Sequence, residues 1–188
     1  DKGGVTIDDI CAIAKMEHKT KQIKLLVIDY LQLVRLGAYG RKISNRNDEV
    51  TVISNKIKQL AMELNIPIVA LSQLNRDKTR KRYGKADLRD SGSLEQDADN
   101  IIFIFRPDEH DMTEYTLGNR IVDCTPETAI INIDKCRLGK TGEFELVFKG
   151  EFSRFENKPG ESLEKTNFIN NFVQRKFERS NLSDELPF

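Results

Sequence analysis

Nowhere in the 188 residues does an apolar run approach the roughly 18–20 side chains needed to span a bilayer. No signal-peptide pattern opens the chain either, so the sequence reads as a soluble, cytoplasmic protein. Cysteine is scarce: Cys11, Cys124 and Cys136 are odd in number and far apart. That argues against a disulfide framework and points to a reducing compartment. His18 and His110 stand alone and no Cys-x-x-Cys occurs, so a structural zinc site is not expected. Neither sign of charge is in excess, with 30 Lys and Arg against 30 Asp and Glu. No global field draws the chain to nucleic acid, and any such site must be local. What is present is 38% apolar and 32% charged, polar for a compact domain and suited to large loops or surfaces that meet other subunits. The length suits one ordinary domain with a tail.

Thr6 stands where a helix N-cap would, before Ile7, Ile10, Cys11 and Ala14 at helical spacing, and the helix is expected to reach about Lys19. Residues 25–33 have the Leu/Val/Ile content of a strand buried on both faces, as in a parallel sheet. A Gly- and Arg-containing loop follows, then a helical period over 48–64 that Asn65 and Pro67 stop. PIVALSQL (67–74) reads as a second buried strand, and residues 75–89 as a basic loop. NIIFIFRP (100–107) and AIINIDKCR (129–137) are two more strands; between them lies a polar stretch, and residues 142–157 suggest a closing hairpin. Beyond Pro159 the composition turns polar, with a short helix expected near 168–177. Strands alternating with helices imply an α/β fold, its sheet mostly parallel and flanked by helices, with a C-terminal hairpin region.

Asp29 is the anomaly in KLLVIDYLQLV, since a buried unpaired carboxylate costs several kcal/mol. In a parallel sheet, ligands gather outside the carboxyl ends of the strands. Asp29 stands near the end of the first strand, and Ser72 and Gln73 near the end of the second. A carboxylate so placed can hold magnesium beside nucleotide phosphates; alternatively Asp29 caps a neighbouring helix or turn. In INIDKCRLG, Lys135 and Arg137 alternate with Cys136, so on a strand the two cations share a face and need an anion opposite.

Five blocks, LLVIDYLQL, NRNDEV, IPIVALSQLNR, DLRDSGSLEQDADNIIFIFR and INIDKCRLGKTGEFELVFKGEFSRFEN, occur in an order and spacing that resemble the C-terminal motor of DnaB-family replicative helicases. The resemblance runs from about residue 3 to residue 157, so that 1–157 is read as part of the motor domain and 158–188 as a polar tail, flexible or partly helical. It implies a RecA-like P-loop NTPase fold, hexameric rings on single-stranded DNA, and ATP with Mg2+ as cofactors; primase and a helicase loader are the implied partners. Carried over, Asp29 resembles the Walker B acid that positions magnesium, and Gln73 the sensor of the terminal phosphate. Arg89 and Gly92 fall on backbone-contacting positions of the family's DNA loop. Asp90 stands where the family commonly has Glu, and is expected to hold the loop's shape or orient Arg89. Without aromatics, the loop should read backbone rather than bases. Lys135 and Arg137 match the pair that reaches a neighbouring subunit's ATP, Arg137 as an arginine finger; Cys136 is then most simply a core residue.

The sequence also departs from the family pattern. No G-x-x-x-x-G-K-[ST] occurs, and the family's catalytic glutamate is missing. The chain opens without Met inside the motif order, and so reads as a segment of a longer helicase. By itself it is expected to lack nucleotide hydrolysis and to leave sheet edge and apolar surface exposed. The alternatives are a non-catalytic remnant that keeps DNA- or replisome-binding surfaces, and a RecA/RadA-type recombinase ATPase. The DLRDSGSLEQDAD and DKCRLGKTG blocks disfavour the recombinase. The terminal SDELPF resembles the acidic Pro-Phe tip of bacterial single-stranded DNA-binding proteins, a possible replisome contact, or is a solvated end.

Overall fold

The computed structural model describes residues 4–37, 45–74, 82–84 and 92–159. The chain divides into two compact units, one from Asp1–Asp77 with Gly84–Ala98, the other from Lys78–Tyr83 with Asp99–Phe188.

In the first unit, helix α1 (Ile7–Lys21) starts at Thr6 as its side chain predicts. The Thr6 hydroxyl accepts from the Asp9 N–H at 3.1 Å and the Asp9 carboxylate accepts from the Thr6 N–H at 3.1 Å. This reciprocal cap stabilises a helix start by about 1 kcal/mol. Helix α2 (Arg46–Leu64) begins two residues before the expected start, because the Asn45 side chain accepts from the Asn47 N–H at 3.0 Å. It stops at Asn65, whose φ of 51° the helix cannot continue. Strand β1 (Leu26–Ile28) pairs in parallel with β2 (Ile68–Ala70), Leu26 opposite Ile68 and Ile28 opposite Ala70. A short helix, α3 (Gly92–Asp97), lies against α2, where the Ser54 hydroxyl donates to Asp97 Oδ2 at 2.6 Å. The core joins Ile7, Ile28, Leu31, Val34, Leu36 and Ile53, with Leu94 of α3 packed on it.

Two expectations need correction here. The apolar runs yield strands of three residues each, since after Ile28 the chain turns into a 3-10 segment at Leu31–Leu33. They are also not buried on both faces: Ile28 enters the core, while Val27 is 55% exposed and its pairing partner Val69 is 45% exposed. Successive side chains alternate between faces, and the core cluster of this unit forms against one of them.

In the second unit, β3 (Asn100–Phe105), β6 (Thr128–Cys136), β7 (Gly142–Lys149) and β8 (Arg154–Asn157) form a four-stranded sheet in the order β3-β6-β7-β8, with β4 (Glu114–Leu117) and β5 (Arg120–Asp123) as a separate hairpin. Every pairing in the unit is antiparallel. The mostly parallel sheet is therefore not what the described residues form: parallel strand pairing is limited to β1 and β2, with one further parallel bridge between Thr6 and Arg35. The hairpin expected over 142–157 is present as β7 and β8. The stretch read as merely polar holds β4 and β5, where EYTL and RIVD flank Gly118 at φ 60°. The short helix expected in the tail lies outside the described residues.

Phe105, Tyr115, Leu117, Val122 and Ile130 make the core of this unit, with Tyr83 edge-on to Phe105 at 5.5 Å. Two acids of β7 bridge this structure. Glu145, with its side chain 5% exposed, accepts from Arg120 at 3.2 Å and Lys158 at 2.7 Å. Glu143 accepts from Arg82 at 2.8 Å and from the Tyr115 hydroxyl at 3.1 Å. Burial, with the Glu143 charge beside it, pushes the Tyr115 phenol from 10.0 up to about 12. The folded state thus favours the neutral phenol. Its contribution to stability is complete below pH 10 and is lost as the pH rises toward 12. Urea midpoints measured across that window should fall for the wild type more than for Tyr115→Phe; parallel curves would exclude the linkage.

Candidate functional site

Because β1 and β2 run parallel, their carboxyl ends emerge side by side, and Asp29 and Gln73 leave from those two ends. The parallel hydrogen bonding continues past the strands: the Leu71 N–H donates to the Ile28 carbonyl and the Leu31 N–H to the Leu71 carbonyl, both at 2.9 Å. Asp29 is exposed, so the acid in the apolar run is not buried at all. Among the described residues no three His, Cys, Asp or Glu gather to hold a metal. A lone exposed carboxylate fits magnesium, which keeps much of its water shell and shares its ligands with phosphates.

Gln73 is exposed too, and its main chain is held by a residue that the sequence reading passed over. Gln32 Nε2 donates to the Gln73 carbonyl and to Ser72 Oγ, each at 3.0 Å, and Gln32 Oε1 accepts from the Gln73 N–H at 3.3 Å. Gln32 sits in the 3-10 turn that follows Asp29. That turn is held in place by Arg46, the first residue of α2. Its guanidinium donates to the carbonyls of Leu31 at 3.3 Å, Gln32 at 3.1 Å and Val34 at 3.2 Å. Arg46 also pairs with Glu49, whose carboxylate accepts from the Leu36 N–H at 3.1 Å. Burial raises the Glu49 carboxyl, but the hydrogen bonds from Arg46 and Leu36 and the Arg46 and Arg35 charges outweigh it, holding it below the usual range. The only local signal for this assembly was polar residues beside an apolar strand, since its partners are mostly main-chain carbonyls.

Lys135 and Arg137 belong to the second unit. Strand β6 ends at Cys136, so Arg137 lies just beyond it. The register with β3 slips between Ile101, opposite Lys135, and Ile102, opposite Ile133. Such an irregularity re-aims side chains, and simple alternation does not carry through Asp134 to the cations. An anion does stand by: Arg137 donates to Asp99 Oδ1 at 2.8 Å, and its N–H donates to the Asp99 carbonyl at 2.9 Å. The Arg137 side chain remains 66% exposed. Lys135 and Cys136 are partly buried. Gly92 opens α3, while Arg89 and Asp90 lie outside the described residues. No described helix is long and apolar enough to cross a membrane.

Residues 1–157 match the family model for the DnaB-like helicase C-terminal domain. The chain is 40% identical over 161 residues to the replicative DNA helicase DnaB of Haemophilus influenzae, covering 84% of this chain and 32% of that protein. Against the same protein of Pasteurella multocida the identity is 38% with the same coverage. Among solved structures, a DnaB-like replicative helicase described with its interactions with primase superposes with a TM-score of 0.67 at 32% identity, over 84% of this chain and 36% of that one. The ATPase domain of G40P gives the same score and identity, over 84% of this chain and 53% of that one. The chain spans about a third of the length of the curated relatives it matches.

Proposed function

The chain belongs to the DnaB-like helicase C-terminal domain family, and from that premise we propose that it forms part of an ATP-dependent motor that moves along single-stranded DNA and unwinds duplex DNA. Its surroundings would be the cytoplasm of a bacterium, or of a bacterial host in the case of a phage protein. The observation that supports this reading is the parallel pairing of the two strands that Asp29 and Gln73 follow in the chain. The fold read this way is a RecA-like domain, with 1–157 as motor and 158–188 as tail.

In this reading Asp29 accepts the water shell of Mg2+, which when bound with ATP screens the phosphate charge. The Gln73 amide nitrogen donates to the terminal phosphate, so loss of that phosphate frees a donor and changes its hydrogen bonding. Arg89 and the Gly92 main chain contact the DNA backbone, with Asp90 shaping the loop. Lys135 and Arg137 act on ATP held by the adjoining subunit, which requires a ring, and a hexamer is the assembly this implies. A primase and a loader are the expected partners, with a replisome contact through the tail.

The test is a forked-duplex unwinding assay on a full-length subunit carrying these residues, comparing wild type with Gln73→Ala. Wild type should unwind only with ATP and Mg2+. The variant should keep ATP binding and lose DNA-stimulated turnover and unwinding together. Unwinding by Gln73→Ala at the wild-type rate would remove the sensor assignment.

A further inference from the structure

We infer that Gln32 is the positioning residue that locks Gln73 to the Asp29 exit, so that the two strand ends move as one piece. This rests on the reading of Asp29 and Gln73 just given. Among the described residues, the main-chain bonding between the two segments runs as far as the Leu31 N–H and the Leu71 carbonyl, and the first segment then turns away through its 3-10 turn. The Gln32 amide takes its place. It accepts from the Gln73 N–H at 3.3 Å and donates to the Gln73 carbonyl at 3.0 Å, the pattern one residue of a strand offers its neighbour. Its second donor proton serves Ser72 Oγ at 3.0 Å. Only an amide supplies an acceptor and two donors from one planar group at this length. A carboxylate would keep the acceptor alone, and an ammonium the donors alone.

The clamp is useful only if its own base is fixed, and Arg46 fixes it. The guanidinium binds the carbonyls of Leu31 and Val34 as well as that of Gln32 itself. These six hydrogen bonds connect the start of α2, the turn after Asp29 and the 72–73 stretch in a continuous series. A displacement of Gln73 on loss of a phosphate would pull the Gln32 turn with it. Through Arg46 it would also load the start of α2.

Two measurements separate this inference from the reading beneath it. The first uses the 188-residue chain and requires no nucleotide: hydrogen exchange at the Gln73 amide. Gln32→Met keeps the side-chain length and removes the hydrogen bonds, and should speed exchange at Gln73 by about five- to tenfold. Gln32→Glu keeps the acceptor but sets a carboxylate oxygen against the Gln73 carbonyl, and should recover only part of the protection. Wild-type exchange in Gln32→Met overturns the clamp, whatever Gln73 does in catalysis. The second uses the full-length subunit. There Gln32→Met should lower DNA-stimulated kcat by about 10- to 100-fold with KM for ATP little changed, and Gln32→Met with Gln73→Ala should be no worse than Gln73→Ala alone. Multiplicative losses in the double variant would show that Gln32 acts on something other than Gln73, and would overturn the coupling. If Gln73→Ala alone leaves DNA-stimulated turnover intact, the sensor reading has failed, while the exchange result still decides the clamp.

Discussion

Asp29→Asn in a full-length subunit will lower Mg2+-dependent ATP turnover by at least about 100-fold and leave thermal stability close to wild type. The loss follows from the charge, since a metal held beside phosphates contributes several kcal/mol to stabilising the developing negative charge, and each 1.4 kcal/mol or so is tenfold in rate. Stability should hold because Asp29 is exposed and outside the core formed by Ile28, Leu31 and their neighbours. Asparagine is chosen to separate the two readings of this acid. As a cap or turn residue, Asn serves about as well as Asp, so a purely structural Asp29 would tolerate the change in both assays. As a magnesium-positioning carboxylate it would not. Full turnover in Asp29→Asn would return the residue to the capping role.

The elements that could be read from the sequence were those whose determinants are local. Thr6 and Asp9 lie three residues apart, and each satisfies the other's N–H, so α1 announces its own start. Val52, Ile53 and Ile57 repeat at helical spacing and do pack on the core. Sheet direction was less legible, because it depends on where distant strands meet. β3 and β6 have the apolar content of parallel strands, yet they pair antiparallel, with the hairpin of β4 and β5 between them in the chain. That hairpin was missed although Tyr115, Leu117 and Val122 are buried on alternate positions, since its exposed residues make the stretch look like loop. The two strand ends at Asp29 and Gln73 were visible as the ends of apolar runs. What joins them was not: Gln32 and Arg46 act on main-chain groups, which every residue has, and no pattern of side-chain types marks such a contact.

The largest effect expected is at Arg137. Arg137→Ala should leave ATP binding nearly intact and lower turnover by roughly 10³–10⁵-fold, the range arginine fingers contribute in other phosphoryl transfers. The protein should stay folded, because the pair with Asp99 is exposed, at 66% and 37% of the two side chains, and such surface pairs stabilise by only about 0–1 kcal/mol. Asp99 holds one side-chain nitrogen of Arg137 at 2.8 Å and accepts from the Arg137 N–H at 2.9 Å, a pairing that would orient the guanidinium if Arg137 is the finger. Lys135→Ala should cost less than Arg137→Ala, since a flexible point charge is less well organised than a planar guanidinium. Mixed rings decide whose ATP the finger serves. Subunits with Arg137→Ala, assembled with subunits carrying Asp29→Ala, should regain part of the lost activity. Some interfaces then place an intact Asp29 site opposite an intact Arg137, which neither parent ring can do. No recovery in rings proven to be mixed would mean that the finger acts within its own subunit, or that turnover needs every interface intact. Wild-type turnover by the all-Arg137→Ala ring would end the assignment, and Arg137 would then be only the surface partner of Asp99.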